Sequence, residues 1–216
     1  MSAPEKARAG DLVAAHVGQA VAEMEGAGGG GFYVAEFRDA DGVLQWRDTI
    51  ENVWCLEGSE AVLTHALKGS AYTATCFLGL IESTGYGFAG ANGTGVTKGA
   101  LAGSITAAGG ASPANGWNEA PSSTVAARGT PSFGTASSSG VNSDLVTSTV
   151  ALSTLETKTI KGCFLVIHNK AGTASVSTVG STAGALLSCG LFSGGDQVVS
   201  SGGTLNVTYT ARITTT

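Results

Sequence analysis

From residue 32 onward, short segments rich in β-branched and aromatic residues alternate with glycine-rich turns. The first two segments predict a hairpin over residues 32–54, with a turn that Asp39 begins and Gly42 ends. Further strands are predicted at 71–81, 145–152, 159–168, 184–192 and 204–214. Short strands at this spacing are typical of two-sheet proteins. The sequence therefore predicts a mainly β fold, with a β-sandwich or jelly-roll-like domain over residues 32–216.

The composition excludes several classes of protein. Only 12% of the residues are charged, while 43% are hydrophobic and 33 of 216 are glycine. A disordered chain would need low hydrophobicity and high charge, and no apolar run approaches the ~18 residues of a membrane helix. The net charge of −5 offers no attraction to nucleic acid or to an anionic membrane, so we expect neither as a partner. Residues 69–216 hold only 6 Lys/Arg and 5 Asp/Glu, which suits a hydroxyl-covered surface facing either solvent or a partner.

The remaining β-domain segments carry weaker patterns. A short helix is predicted at 59–68, with Ser59 as its N-cap. Residues 83–140 are dense in Gly, Ser and Ala, which predicts loops and edge strands. Trp117 is the one large side chain expected to anchor that segment in the interior.

Residues 1–31 predict an N-terminal helical arm followed by a glycine linker. An apolar stripe with helical periodicity runs through residues 11–25. The side chains of the stripe expected to bind a partner are Val13, Val17, Val21 and Met24. The four glycines at 28–31 predict a flexible joint, so we expect the arm to become helical on docking against another chain. A helix packed on its own domain, or a frayed terminus, is the alternative.

The sequence offers little for metal binding or redox chemistry. Its four cysteines, Cys55, Cys76, Cys163 and Cys189, form no CxxC pair and have no histidine at ligand spacing. The polar N-terminal sequence has no secretory h-region, so we expect reduced cysteines that pack as small apolar side chains.

No pattern predicts an enzyme. A GxGxxG match at 85–90 is followed by glycine-rich sequence that cannot begin a phosphate-binding helix. The histidines, at 16, 65 and 168, belong to no catalytic motif. Acidic residues concentrate around the hairpin and predict either a solvated hairpin or, less naturally, a hard-cation site. They are Glu36, Asp39, Asp41, Asp48 and Glu51. We expect no catalytic activity, no cofactor and no metal.

Three blocks in the carboxyl-terminal third, at 160–166 (IKGCFLV), 190–196 (GLFSGGD) and 203–210 (GTLNVTYT), form a recognisable pattern. Upstream segments at 69–81 and 116–119 belong to the same pattern. Together these residues resemble a family of small, β-rich structural proteins of tailed-bacteriophage virions. The resemblance covers roughly residues 43–212, and leaves out the arm and the glycine-rich insertion around 83–110.

The resemblance implies a non-enzymatic structural protein of the virion, assembled in the host cytoplasm. A capsid decoration (cement) protein is the first expectation. Its partners would be the major capsid protein, whose subunits it bridges to stabilise the head, and copies of itself in a homo-oligomer. A tail, neck or fibre-base adaptor is the alternative within the particle. A carbohydrate-binding β-sandwich module and a hydrolase are alternatives from other classes.

Overall fold

The computed structural model describes residues 29–68, 75–84, 118–167, 176–180 and 184–214. Within these ranges the chain forms ten strands and one helix, α1, over Leu56–Lys68. The strands are β1 (Gly29–Arg38), β2 (Leu44–Val53), β3 (Cys76–Glu82), β4 (Ser137–Ser139), β5 (Asn142–Val146), β6 (Val150–Ser153), β7 (Lys158–Ile167), β8 (Ala185–Leu191), β9 (Gln197–Val199) and β10 (Thr204–Thr214). The predicted mainly β fold is confirmed: two antiparallel sheets form a β-sandwich-like domain.

The first sheet is built around β10, the longest strand. On one side, β10 pairs with β1 along ten residues, and β1 pairs with β2 to form the predicted hairpin. On the other side, β6 pairs with the first half of β10 and β5 with the second half, and β4 extends the sheet beyond β5. Buried residues alternate along β1, where Tyr33, Ala35 and Phe37 face the core. This sheet therefore has one apolar face and one polar face.

The second sheet is buried on both faces. Its central strand, β7, pairs with β3 on one edge and with β8 and β9 on the other. Every residue of β3 is buried, as are six of the seven in β8. One face packs against the first sheet in the main core, which includes Leu78, Leu80 and Leu165. The opposite face belongs to a second apolar cluster that includes Phe77, Phe164 and Val166.

The helix begins earlier than predicted, at Leu56, so Ser59 is not its N-cap. Ser59 lies inside the first turn, where its backbone N–H donates to Cys55 O at 2.9 Å. Gly58 explains the difference, because its Cα faces the β8 backbone so closely that an added Cβ would lie 2.4 Å from Leu187 Cα. Tertiary contact with β8 thus holds the first turn, and local capping signals alone could not predict it.

The predicted glycine linker is wrong for Gly29, Gly30 and Gly31, which belong to β1. All three pair with β10, and Gly30 and Gly31 also pair with β2. Glycine is needed there for close approach. A Cβ at Gly29 would lie 2.2 Å from the Trp54 ring, and one at Gly31 would lie 2.1 Å from the Thr210 carbonyl oxygen. Gly29 and Gly31 therefore serve close packing against the Trp54 ring and the neighbouring strand.

Other boundaries also differ from prediction. The strand predicted at 145–152 is two strands, β5 and β6, because Thr147 Oγ1 accepts the N–H of Tyr209 and breaks the regular ladder. The short strand β9 was not predicted. In the described part of segment 83–140, the structure shows loops and the edge strand β4.

Two predicted features lie outside the described residues: Trp117, within residues 85–117, and the arm, within residues 1–28. Among the described residues, no helix is long and apolar enough to cross a membrane.

Candidate functional site

The motif blocks that carry the family resemblance contribute strands to both sheets: 160–166 lies in β7 and 78–81 in β3 of the second sheet, whereas 204–210 lies in β10 of the first. Gly162 faces β8 so closely that a Cβ would lie 2.0 Å from the Gly190 carbonyl oxygen. Gly79 faces the Phe164 ring, where a Cβ would lie 2.1 Å from the ring carbon Cζ. These glycines allow the strands and an aromatic ring to pack together, so this part of the motif specifies the fold rather than a reaction.

Two motif blocks also meet in an exposed polar cluster. Lys161, next to Gly162 on β7, donates from Nζ to Asp196 Oδ1 at 2.7 Å, and the Ser83 hydroxyl donates to the other carboxylate oxygen. Partial burial alone would raise the pKa of Asp196, but the hydrogen bonds from Lys161 and Ser83 outweigh it and lower that pKa. A carboxylate with a lowered pKa is a poor general base, so the cluster acts as a clasp between β7 and the turn before β9.

The acidic residues of the hairpin do not converge on a common point. Asp39 Oδ1 accepts the backbone N–H groups of Asp41 (3.0 Å) and Val43 (2.9 Å) and so closes the turn. Asp48 is buried and accepts the Gly194 N–H at 2.9 Å and the Ser193 hydroxyl. The described residues contain no group of three or more His, Cys, Asp or Glu placed to hold a metal ion. The structure therefore assigns these carboxylates to turns and loop contacts.

A buried ion pair holds two loops on the outer face of the second sheet. Arg128 and Glu119 form a bidentate pair, with Nε–Oε1 at 2.8 Å and Nη2–Oε2 at 2.7 Å, and their side chains are 1% and 4% exposed. Arg128 also donates to the Val176 carbonyl at 2.8 Å and lies over the Phe164 ring. The Arg128 guanidinium and the Glu119 carboxylate are thus bonded to partners within the fold, which indicates a structural role.

All four cysteines are free and buried, as predicted. Burial raises the pKa of Cys76 to about 11, and burial likewise raises the pKa of Cys163. A hydrogen bond with Cys55 is the main cause of the raised pKa of Cys189; the two sulfur atoms lie 3.6 Å apart. Thiols that stay protonated and inaccessible are poor nucleophiles, so these residues act as apolar packing groups.

Exposed large apolar side chains fall at two opposite ends of the domain. The hairpin end, at the β1–β2 turn, carries Val43, Leu44, Leu155 and Val198. It has a rigid base, because Trp46 stacks on Phe37, meets Phe192 edge-on and donates from Nε1 to the Val198 carbonyl at 2.8 Å.

The other end, at α1 and the carboxyl-terminal half of β10, carries Leu63, Leu67, Val141, Val146 and Ile213. It also contains an apolar groove of about 370 Å³, which we call the helix-end groove. The groove is lined by Trp54, Val62, His65, Ala66, Phe133, Leu145, Ile167, Leu187 and Ala211.

The partner-binding residues predicted from the sequence lie outside the described residues. They are Val13, Val17, Val21 and Met24. Of the three histidines, His65 lies at the helix-end groove, while His16 and His168 also fall outside the described ranges. Neither apolar end was predicted from the sequence. Val43 and Leu44 beside a turn were a possible signal, but the groove combines residues from six distant segments and has no local signal.

Comparison with known proteins gave no match: no family model, no curated protein and no solved structure is significantly similar to this chain.

Proposed function

We propose that this protein is a non-enzymatic structural subunit of a tailed-bacteriophage particle, and specifically a capsid decoration protein that bridges major capsid subunits. The observation that carries the proposal is the position of the exposed apolar side chains at two opposite ends. Strands of ten residues separate these ends by about 33 Å. A subunit that bridges neighbours needs at least two separate contact surfaces, and this arrangement provides them.

The interior also supports a structural role. The Lys161–Asp196 clasp and the Asp48 contacts join segments that are distant in sequence. Arg128, paired with the nearby Glu119, also donates to the distant Val176 carbonyl. The fold thus uses its few charges as cross-links between loops. A rigid domain loses little conformational entropy on binding, which favours repeated, weak contacts around a shell.

A tail, neck or fibre-base adaptor would use the same two ends and would differ from a decoration protein in copy number.

The carbohydrate-binding alternative has less support. Stacking on sugars needs exposed aromatic rings, and every aromatic side chain among the described residues is buried or half-buried, including Trp46, Trp54 and Phe133.

We assign the hairpin end as a surface that contacts the capsid, because its apolar side chains lie beside the packed rings of Phe37, Trp46 and Phe192. Full-length protein would be mixed with heads that lack it and sedimented with them. Leu44→Asp places a charge in the contact, so we expect its binding to fall at least ~10-fold, about 1.4 kcal/mol. Thr49→Asp adds the same charge at an exposed position in the middle of β2, away from both ends, and is the matched control.

Retention of the Thr49→Asp variant and loss of the Leu44→Asp variant are the expected pair of results. If wild-type protein does not sediment with the heads, the capsid function is wrong. If both variants bind as wild type does, the hairpin end is not the contact surface. Circular dichroism of each variant checks that the domain remains folded.

A further inference from the structure

The helix-end groove lies where the N-terminal segment joins the domain. Strand β1 begins at Gly29, whose carbonyl oxygen accepts the Trp54 backbone N–H at 3.0 Å. The Trp54 ring packs directly on the Gly29 Cα and forms one wall of the groove. The chain that precedes residue 29 therefore starts at the rim of the groove.

The connection to the apolar stripe is short. Because Gly29, Gly30 and Gly31 are fixed in the sheet, only residues 25–28 connect Met24 to β1. Even fully extended, this connection spans at most about 17 Å. A short tether raises the effective concentration of the stripe at the adjacent groove to about the millimolar range. Proximity thus favours the groove of the same chain over that of a neighbour.

The groove and the stripe are also chemically matched. Among the lining side chains only His65 and Trp54 carry polar atoms, and Trp54 Nε1 already donates to Tyr209 Oη at 3.2 Å. Pockets for small polar ligands place several polar groups around the ligand to orient it. A stripe of valine and methionine side chains needs no such groups and gains from leaving water.

We propose that residues 11–25 dock as a helix in the helix-end groove of their own chain, with Val17 and Val21 facing the groove. The sequence alone predicted docking on another chain, on the premise that residues 28–31 form a free joint. The pairing of Gly29–Gly31 in β1 removes that premise. The inference does not depend on the phage function. None of the exposed apolar side chains at this end is among the lining residues of the groove, so both ends keep an apolar surface for a partner.

Disulfide trapping in the full-length chain tests the proposal. Val17→Cys is combined with Ala66→Cys, because Ala66 is an exposed groove residue whose substitution should not disturb packing. Mild oxidation should produce a cross-linked monomer of altered mobility on a non-reducing gel, with a yield unchanged by ~10-fold dilution. Two controls place one cysteine elsewhere: Val17→Cys with Glu60→Cys, and Ala15→Cys, off the stripe, with Ala66→Cys.

A cross-linked monomer well above both controls supports the proposal. A disulfide-linked dimer whose yield falls on dilution would show that the groove belongs to a neighbour's arm and would overturn it. Cross-linking no greater than in the controls would also overturn it, and would leave the groove to another occupant.

A second measurement does not rely on cysteines. Val17→Asp with Val21→Asp should release the stripe and increase the binding of an apolar fluorescent dye at least ~2-fold, because the groove becomes accessible. Ala15→Asp with Gln19→Asp adds the same charge off the stripe and should leave dye binding unchanged. Equal dye binding by the two double variants would contradict the proposal.

Discussion

At the residue scale, charged side chains of the β domain form ion pairs, and the contribution of each pair to stability depends on how deeply it is buried. Arg128–Glu119 is almost inaccessible to solvent, whereas Arg47–Glu36, on the hairpin, has an arginine that is 61% exposed. Removing one partner of a buried pair leaves the other charge without compensation, while an exposed charge is simply solvated.

This contrast predicts very different costs for two arginine substitutions. Arg128→Ala should lower the free energy of unfolding by about 3–5 kcal/mol, because Glu119 would remain buried and unpaired. Arg47→Ala, the matched surface control, should cost about 0–1 kcal/mol. Urea denaturation measures both, and similar losses for the two variants would show that the Arg128 pair is not buried as described.

The buried cysteine thiols and tyrosine phenols predict that the folded protein loses stability at alkaline pH. Burial raises the pKa of Cys76 to about 11 and that of Tyr209 to about 12, and it also raises the pKa values of Cys163 and Tyr33. In the unfolded chain, thiols lose their protons near pH ~8.5 and phenols near pH ~10. Above those values the unfolded state holds fewer protons than the folded state, so stability falls as pH rises.

The stabilisation from Cys76 should therefore be complete below about pH 8 and disappear between about pH 8.5 and pH 11, at up to ~1.4 kcal/mol per pH unit. Cys163→Ala removes one buried thiol, so its unfolding free energy should decline less steeply over about pH 9–11. Denaturant melts at a series of pH values give these slopes. Parallel slopes for wild type and variant would contradict the assignment.

At the element scale, strands β1 and β10 approach so closely that glycine is required between them. Gly31→Ala should destabilise the protein by about 1–3 kcal/mol, because its Cβ would meet the Thr210 carbonyl oxygen at 2.1 Å. Gly42→Asn is the control: Gly42 has a positive φ in the hairpin turn but open space around it, so we expect a cost of about 1 kcal/mol or less. A Gly31→Ala variant as stable as the control would instead fit the linker that the sequence predicted.

The elements that the sequence predicted well are those with a local signal. The hairpin carries alternating residues around an Asp39–Gly42 turn, and β10 matches its predicted bounds, because period-two alternation is visible within a few residues. The helix start and the glycines of β1 were misassigned because contacts with β8 and Trp54 determine them. The helix-end groove could not be predicted at all, since it forms only when six separate segments meet.

At the scale of the whole molecule, the chain forms a cross-linked β domain with apolar side chains at both ends. The groove at one end is proposed to take the chain's own N-terminal segment. The hairpin end is proposed to bind the shell. The exposed side chains around the groove would provide the second contact of each copy, and the effect on the head would come from repetition of these modest contacts around the shell.

The copy number of this chain in purified phage particles distinguishes a capsid decoration protein from a tail or neck protein. It is measured by densitometry of a stained gel against the major capsid protein. A decoration protein should be present at roughly hundreds of copies per particle, in a fixed ratio to the capsid protein. About six to a few dozen copies would place the chain in the tail or neck, and absence from the particle would contradict any structural role in the virion.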